Sequence, residues 1–168
     1  LCDLLKSNSR QLFERVRFLQ LEVLNKNKEN KILNNELASL KNANLISSVE
    51  HVGRFSIIIN ELHGLSGELL QNTALDFITK LGNNSAIILG GIPDQNNKKL
   101  LFVVAFGAEL VKRDLNAGKF INNIAKICAG GGGGKPNIAQ AGAKNVEKLT
   151  EALNFAKEDL LKVLHDLD

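Results

Sequence analysis

From Gly130 to Gly134 five glycines stand in a row, followed at once by Lys135, Pro136 and Asn137. Glycines let backbone N–H groups approach a ligand without side-chain interference, and the adjacent ammonium adds a point charge, so a phosphate-cradling nest is physically reasonable. The named nucleotide motifs fail on spacing. A P-loop needs Gly where Ala129 stands and Ser or Thr where Pro136 stands. A dinucleotide fingerprint begun at Gly130 and Gly132 needs Gly where Lys135 stands, and it follows a strand, whereas a helical pattern precedes this run. Two readings of the run stay open, an anion nest and a flexible linker between two helices.

Charge favours an anionic partner. The 168 residues carry a net +3, and the stretch from Lys112 to Lys148 holds Lys112, Arg113, Lys119, Lys126, Lys135, Lys144 and Lys148 against only Asp114 and Glu147. A local excess of that sign attracts phosphates. Residues able to break or make covalent bonds are sparse. His51, His63 and His165 lie in three different predicted elements, none with Cys, Asp or Glu at metal-ligand spacing. Cys128 falls on an apolar helix face, and Glu61 and Asp94 have no evident partner for acid–base work. The chain is therefore expected to have no catalytic residues, no metal and no cofactor of its own.

The elements that must position these residues are read from periodicity. Residues 1–43 contain no Gly or Pro, and Leu5, Leu12, Val16, Leu19, Val23, Leu33, Leu37 and Leu40 follow a heptad seam interrupted at Lys26 and Asn30. This predicts a coiled-coil helix about 60 Å long over residues 1–44, serving oligomerisation or linkage, ahead of a globular domain over 45–168. After Asn44 the period falls to two: strands are expected over Leu45–Val52, Arg54–Leu62, Ser85–Leu89 and Leu100–Phe106, with a turn-rich stretch at Pro93–Asn97. Ser66 caps a helix from Gly67 to Leu81 that stops at Gly82, Asn116 caps one through Cys128, and a last helix covers Asn145–Leu164. The predicted class is α+β: a long N-terminal helix, then a mixed sheet packed with helices in the order β-β-α-β-β-α-α, the glycine run being a loop.

Length and composition set the remaining limits. At 44% hydrophobic and 23% charged the chain supplies a core of about one domain. No apolar run nears the roughly 18 residues that cross a bilayer, and the start lacks a signal peptide, so a soluble chain without membrane contact is expected. Two cysteines make no disulfide framework, which points to a reducing, cytoplasmic setting. The absence of any Met reads as a piece excised from a longer protein.

The segment from Asn116 to Gly142, NAGKFINNIAKICAGGGGGKPNIAQAG, resembles the C-terminal (C-Ala, DHH-associated) domain of bacterial-type alanyl-tRNA synthetases. The family pattern of an Ala-Gly helix start, a glycine run, Arg-Pro-Asp, a hydrophobic residue and Ala-Gln-Ala-Gly becomes Ala117-Gly118, Gly130–Gly134, Lys135-Pro136-Asn137, Ile138 and Ala139-Gln140-Ala141-Gly142. Lys135 in place of Arg keeps the charge but loses the planar fork. Asn137 removes a negative charge, and Ala143 stands where a further Gly is common. The resemblance extends more weakly from about Leu45 to Leu153.

It implies an appendage that helps hold tRNA(Ala) while upstream domains of the same chain, with ATP, magnesium and zinc, perform aminoacylation and editing. The RNA-binding set it implies, together with the charge cluster, is Lys112, Arg113, Lys119, Lys126, Gly130, Gly131, Gly132, Gly133, Gly134, Lys135, Asn137, Gln140 and Lys144. A homodimer through the N-terminal helix is expected alongside. Two competing readings are the substrate-binding domain of a DHH phosphoesterase and a purely structural coiled-coil dimeriser. Against the first, such enzymes usually carry a Gly-Gly-His type motif, and no histidine lies near this run.

Overall fold

The computed structural model describes residues 12–45, 48–93 and 99–167. The chain divides into two units, residues 1–39 and 40–168. With no helix breaker in its sequence, α1 runs over Leu12–Leu45. On it Leu12 and Leu19 are half-buried, while Val16, Val23 and Leu33 are exposed, as are Phe13, Phe18, Leu21 and Leu24 away from the seam. Lys26, which interrupts the seam, turns to its own helix and donates to Glu29 at 2.9 Å; that bond raises the Lys26 ammonium above its ordinary value. Leu5 and the side chains of Leu37 and Leu40 lie outside the described residues.

The second unit is α+β, built on one sheet of six strands. Strand β1 (Glu50–Val52) is shorter than the expected Leu45–Val52, because Leu45 still belongs to the helix and pairing extends only from Val52↔Phe55 to Glu50↔Ile57 around Gly53. Strand β2 (Phe55–Glu61) leads into α2 (Gly67–Leu81), bounded as its sequence predicts: Ser66 Oγ accepts from Leu69 N at 3.3 Å, and Gly82 ends the helix at φ +89°. Strand β3 (Ser85–Gly91), buried along its whole length, pairs parallel to β2 and antiparallel to β4 (Leu100–Phe106). Residues 94–98, in the turn-rich stretch, lie outside the described residues.

Beyond β4 the chain departs from the expected order. A short α3 (Ala108–Lys112) precedes α4 (Ala117–Ile127), and the glycine run is a strand rather than a loop. Strand β5 (Gly131–Gly134) pairs antiparallel with β6 (Ile138–Ala143), which in turn pairs with β4, giving the order β1-β2-β3-β4-β6-β5. Glycine has no β propensity to betray such a strand, and Ala-Gln-Ala-Gly-Ala is nearly as bland; the hydrogen-bonding edge of β4 recruits them. A single 3₁₀ turn (Val146–Lys148), capped by Asn145, then opens α5 (Leu149–Leu167).

One face of the sheet, with Phe55, Ile57, Ile88, Phe102, Val104, Ala139 and Ala141, forms the main core against α4 and α5. On the other, α2 lies over β3 and β4 and reaches β6 at Gly67, beside the Gln140 side chain. Every residue of β5 is exposed, as is Gly142 on β6.

A Schellman motif joins α4 to β5. Gly130 N donates to Ala125 O at 2.8 Å and Ala129 N to Lys126 O at 3.1 Å, with Ala129 left-handed at φ +52°. The glycine run begins one residue too late to relieve that strain. Ala129→Gly is expected to raise stability by about 0.5–1 kcal/mol, the left-handed penalty outweighing the added unfolded-state entropy, read as a rise in thermal midpoint.

Candidate nucleic-acid interface

The glycines of β5 have two different reasons to lack side chains. A Cβ on Gly130 would lie 2.3 Å from Gly142 O, one on Gly132 2.3 Å from Gln140 O, and one on Gly134 2.5 Å from Ile138 O, so these three admit nothing larger than hydrogen beside the backbone of β6. The alternate positions are open. A Cβ on Gly133 would meet nothing within 4 Å, and one on Gly131 only Asn122 Oδ1 at 3.9 Å. Packing explains the first set, and it leaves the second unexplained.

The rest of the motif locks this strand in place. Lys135 N donates to Ile138 O at 2.8 Å and closes the turn at Pro136 and Asn137; Pro136 O accepts from Ala117 N at 2.9 Å, and Asn137 O from Phe106 N at 2.9 Å. Asn116 Oδ1 caps α4 by accepting from Lys119 N at 3.1 Å. Gly118 brings the first turn of α4 against β5, where a Cβ would sit 3.0 Å from Gly134 O. The Ala117-Gly118 pair and the distant glycine run are thus two sides of one contact. Gln140 is half-buried against Gly67, while the Asn137 side chain is exposed.

The cluster of cations divides into used and unused charges. Lys112 pairs with Glu109 at 2.7 Å, holding that carboxyl below its ordinary value. Arg113 donates to Leu167 O at 2.7 Å, at the C-terminal end of α5, where a cation also complements the helix dipole. Lys148 lies 3.6 Å from Glu151. Lys119, Lys126, Lys135 and Lys144 are exposed and form no ion pair with the described residues. Lys119 and Lys126, with exposed Asn123 between them, line one side of α4 about 10 Å apart along its axis. Lys135 follows β5 and Lys144 follows β6, so these unpaired ammonium groups border the glycine strand.

Beside the strand lies a cavity of about 380 Å³ whose lining includes Lys99, Leu101, Gly131, Gly142 and Lys144. Lys99 and Leu101 are absent from the sequence-derived candidates. Their place follows from the β4–β6 register, Leu101↔Gly142, for which the sequence offers no signal.

Of the remaining reactive side chains, His51, His63 and Cys128 have neighbours within the fold, and His165 is exposed on α5. His51 Nδ1 lies 3.2 Å from Ser56 Oγ. His63 Nδ1 accepts from Ile92 N at 3.2 Å, and its Nε2 lies 2.6 Å from Glu61 Oε1. Cys128 is buried at the end of α4, with Sγ 3.4 Å from Lys148 O, and burial pushes its thiol above the ordinary value. Among the described residues no three His, Cys, Asp or Glu side chains gather to hold a metal, and no helix is long and apolar enough to cross a membrane.

Residues 54–162, which hold strands β2 to β6, helices α2 to α4 and most of α5, match the DHHA1 domain family. The chain belongs to that family. The whole chain is also similar to alanine–tRNA ligases: 58% identical over 165 residues to that of Prochlorococcus marinus subsp. pastoris, covering 98% of this chain and 19% of the relative. It is 41% identical over 163 residues to the alanine–tRNA ligase of a Synechococcus species, covering 96% of this chain and 18% of that one. The chain thus spans about one fifth of the length of the curated relatives it matches. Among solved structures, the C-Ala domain of Aquifex aeolicus alanyl-tRNA synthetase superposes with a TM-score of 0.56 at 28% identity, over 66% of this chain and 95% of that domain.

The two classes of glycine should separate in stability measurements. Gly132→Ala forces a Cβ into the β6 backbone and is expected to cost about 1–3 kcal/mol, whereas Gly133→Ala stays within about 0.5 kcal/mol of the parent in thermal or urea unfolding.

Proposed function

We propose that this chain is the tRNA-contacting C-terminal domain of an alanine–tRNA ligase, which helps hold tRNA(Ala) while upstream domains of the same chain aminoacylate and edit in the cytoplasm. In this reading it performs no covalent chemistry itself. The observation that carries the reading is the exposed glycine strand flanked in sequence by Lys135 and reached by β6 ahead of Lys144, together with Lys119 and Lys126 on the exposed side of α4, none of which forms an ion pair with a described residue. Bare backbone at Gly131 and Gly133 admits a close approach, and the ammonium groups supply phosphate contacts that read backbone shape, which is how proteins grip structured RNA. Lys112, Arg113 and Lys148 are supporting charges in this scheme, because each already has a partner.

Affinity for structured tRNA is expected to fall steeply with salt. Removing one phosphate contact should lower the log–log slope by about 0.7–0.9. Lys126→Glu and Lys135→Glu should each weaken binding more than Lys162→Glu, an equal charge change at an exposed position on α5. Equal losses across all three variants would reduce the attraction to nonspecific charge and defeat the reading.

We further infer that α1 self-associates as a coiled coil through Leu12, Val16, Leu19, Val23 and Leu33, with Leu37 and Leu40 continuing the seam. Exposed apolar side chains at Val16, Val23 and Leu33 support this, since a solvated helix gains nothing from them. Leu19→Glu with Val23→Glu would bury charge in that seam, and sedimentation is expected to show the oligomer dissociating to monomer. A parent chain that stays monomeric at all concentrations would overturn the coiled-coil assignment.

A further inference from the structure

We propose that the cavity between the α3–α4 turn and α5 is a site for a free α-amino acid with a small aliphatic side chain, a proposal independent of the tRNA-contacting reading above. The turn supplies the first observation. Asp114 N donates to Val111 O and Leu115 N to Leu110 O, each at 3.1 Å, which closes α3 in a second Schellman motif with Asp114 left-handed at φ +66°. Glycine takes that conformation without strain, so the turn by itself does not call for a carboxylate. The Asp114 side chain is exposed and forms no hydrogen bond or ion pair with a described residue.

Charge and size select the occupant. The cavity holds about 220 Å³, and its lining includes Asp114, Leu115, Lys119, Phe120, Asn123 and Val163. Asp114 on the turn and Lys119 in the first turn of α4 border the same space without pairing with each other or with another described residue. Opposite charges held apart in this way match a ligand that carries both, its ammonium on Asp114 and its carboxylate on Lys119. Arg113, the third charge in the lining, already donates to Leu167 O at 2.7 Å. Exposed Asn123 lies one turn beyond Lys119 on the same side of α4 and adds an amide that can donate to the carboxylate. The rest of the wall is apolar: Leu115 is buried, and Phe120 and Val163 are half-buried. The Phe120 ring stands edge-on to Phe106 with centroids 5.6 Å apart, so this wall is fixed by the core before a ligand arrives. The volume lies below the range of about 300–1,000 Å³ usual for drug-sized ligands and suits an aliphatic amino acid.

The test follows backbone amide shifts of the isotope-labelled 168-residue chain on titration with L-valine, with no RNA present. Saturable shifts are expected in the α3–α4 turn, the first half of α4 and the last turns of α5, with a Kd of about 1 mM. Isobutylamine lacks the carboxylate and isovalerate lacks the ammonium, so each should bind about tenfold more weakly through loss of one charge-assisted contact. Glycine, which has nothing to place on the apolar wall, should be weaker by a similar factor. Asp114→Gly removes the carboxylate and relaxes the left-handed backbone, so it should weaken L-valine about tenfold while keeping or raising the thermal midpoint. Val163→Phe fills the cavity from α5 and should abolish the shifts, which keeps the test standing if the turn variant fails to fold.

Absence of saturable shifts at L-valine concentrations far above that Kd overturns the site, as does undiminished binding by the folded variants. Isovalerate binding as tightly as L-valine makes the cavity a carboxylate patch, and isobutylamine doing so makes it a cation patch; either result overturns the proposal. Glycine binding as tightly as L-valine removes the apolar wall from recognition and overturns the assignment to aliphatic side chains. Lys119 belongs to both this site and the proposed tRNA contacts, which is why the discriminating variants are placed at Asp114 and Val163.

Discussion

The structure of the second unit turns on how closely two backbones approach. Strand β5 sits so near β6 that a single methyl group at Gly130, Gly132 or Gly134 would lie 2.3–2.5 Å from a carbonyl oxygen. That proximity lets α4 settle on the edge of the sheet through Gly118, and it requires the chain to leave α4 by a tight Schellman turn with Ala129 in a left-handed conformation. The turn at Lys135–Ile138 then hands Pro136 O to the first residue of α4 and Asn137 O to the end of β4. Helix, hairpin and sheet edge are therefore one cooperative contact, closed by backbone groups and requiring few large side chains.

The same constraint produces an asymmetric surface. Alanines at 139, 141 and 143 on β6 face the core below α4 and α5, while the other face of β6 carries half-buried Ile138 and Gln140 and then exposed Gly142, and β5 beside it is exposed throughout. Helix α2 covers β3 and β4 and gets as far as Gln140. What remains is a stretch of sheet whose backbone is accessible from outside, an uncommon feature because exposed sheet edges invite unwanted pairing. A partner that approaches the backbone closely and carries negative charge is matched to such a surface.

Electrostatics in this chain are a matter of which charges are already spent. Arg54 and Arg113 both donate to Leu167 O, at 2.8 and 2.7 Å, gathering two guanidinium groups on the negative end of α5. Lys157 pairs with Glu50 and so ties α5 to β1. Such exposed pairs contribute little to stability individually, yet they distinguish cations with a structural neighbour from those that face solvent alone. Seven cations in the stretch from Lys112 to Lys148 thus resolve into three with intramolecular partners and four facing solvent.

The sequence by itself determined the elements whose signals are local. Ser66 and Gly82 bound α2, Asn116 caps α4, the apolar run of β4 spans Leu100–Phe106 as read, and the absence of Gly and Pro carries through to the uninterrupted α1. It also located the charge cluster and, through the Asn116–Gly142 motif, the family resemblance. Tertiary structure decided the rest. Nothing in five glycines announces a strand, because their β5 conformation comes from the pairing edge that β6 presents, and β6 in turn depends on β4. Lys99 and Leu101 come to line the cavity beside the glycine strand through the same register, across more than thirty residues of chain. Which glycines serve packing and which leave the surface bare follows from strand alternation against a neighbour, a relation that exists only once the two backbones have met.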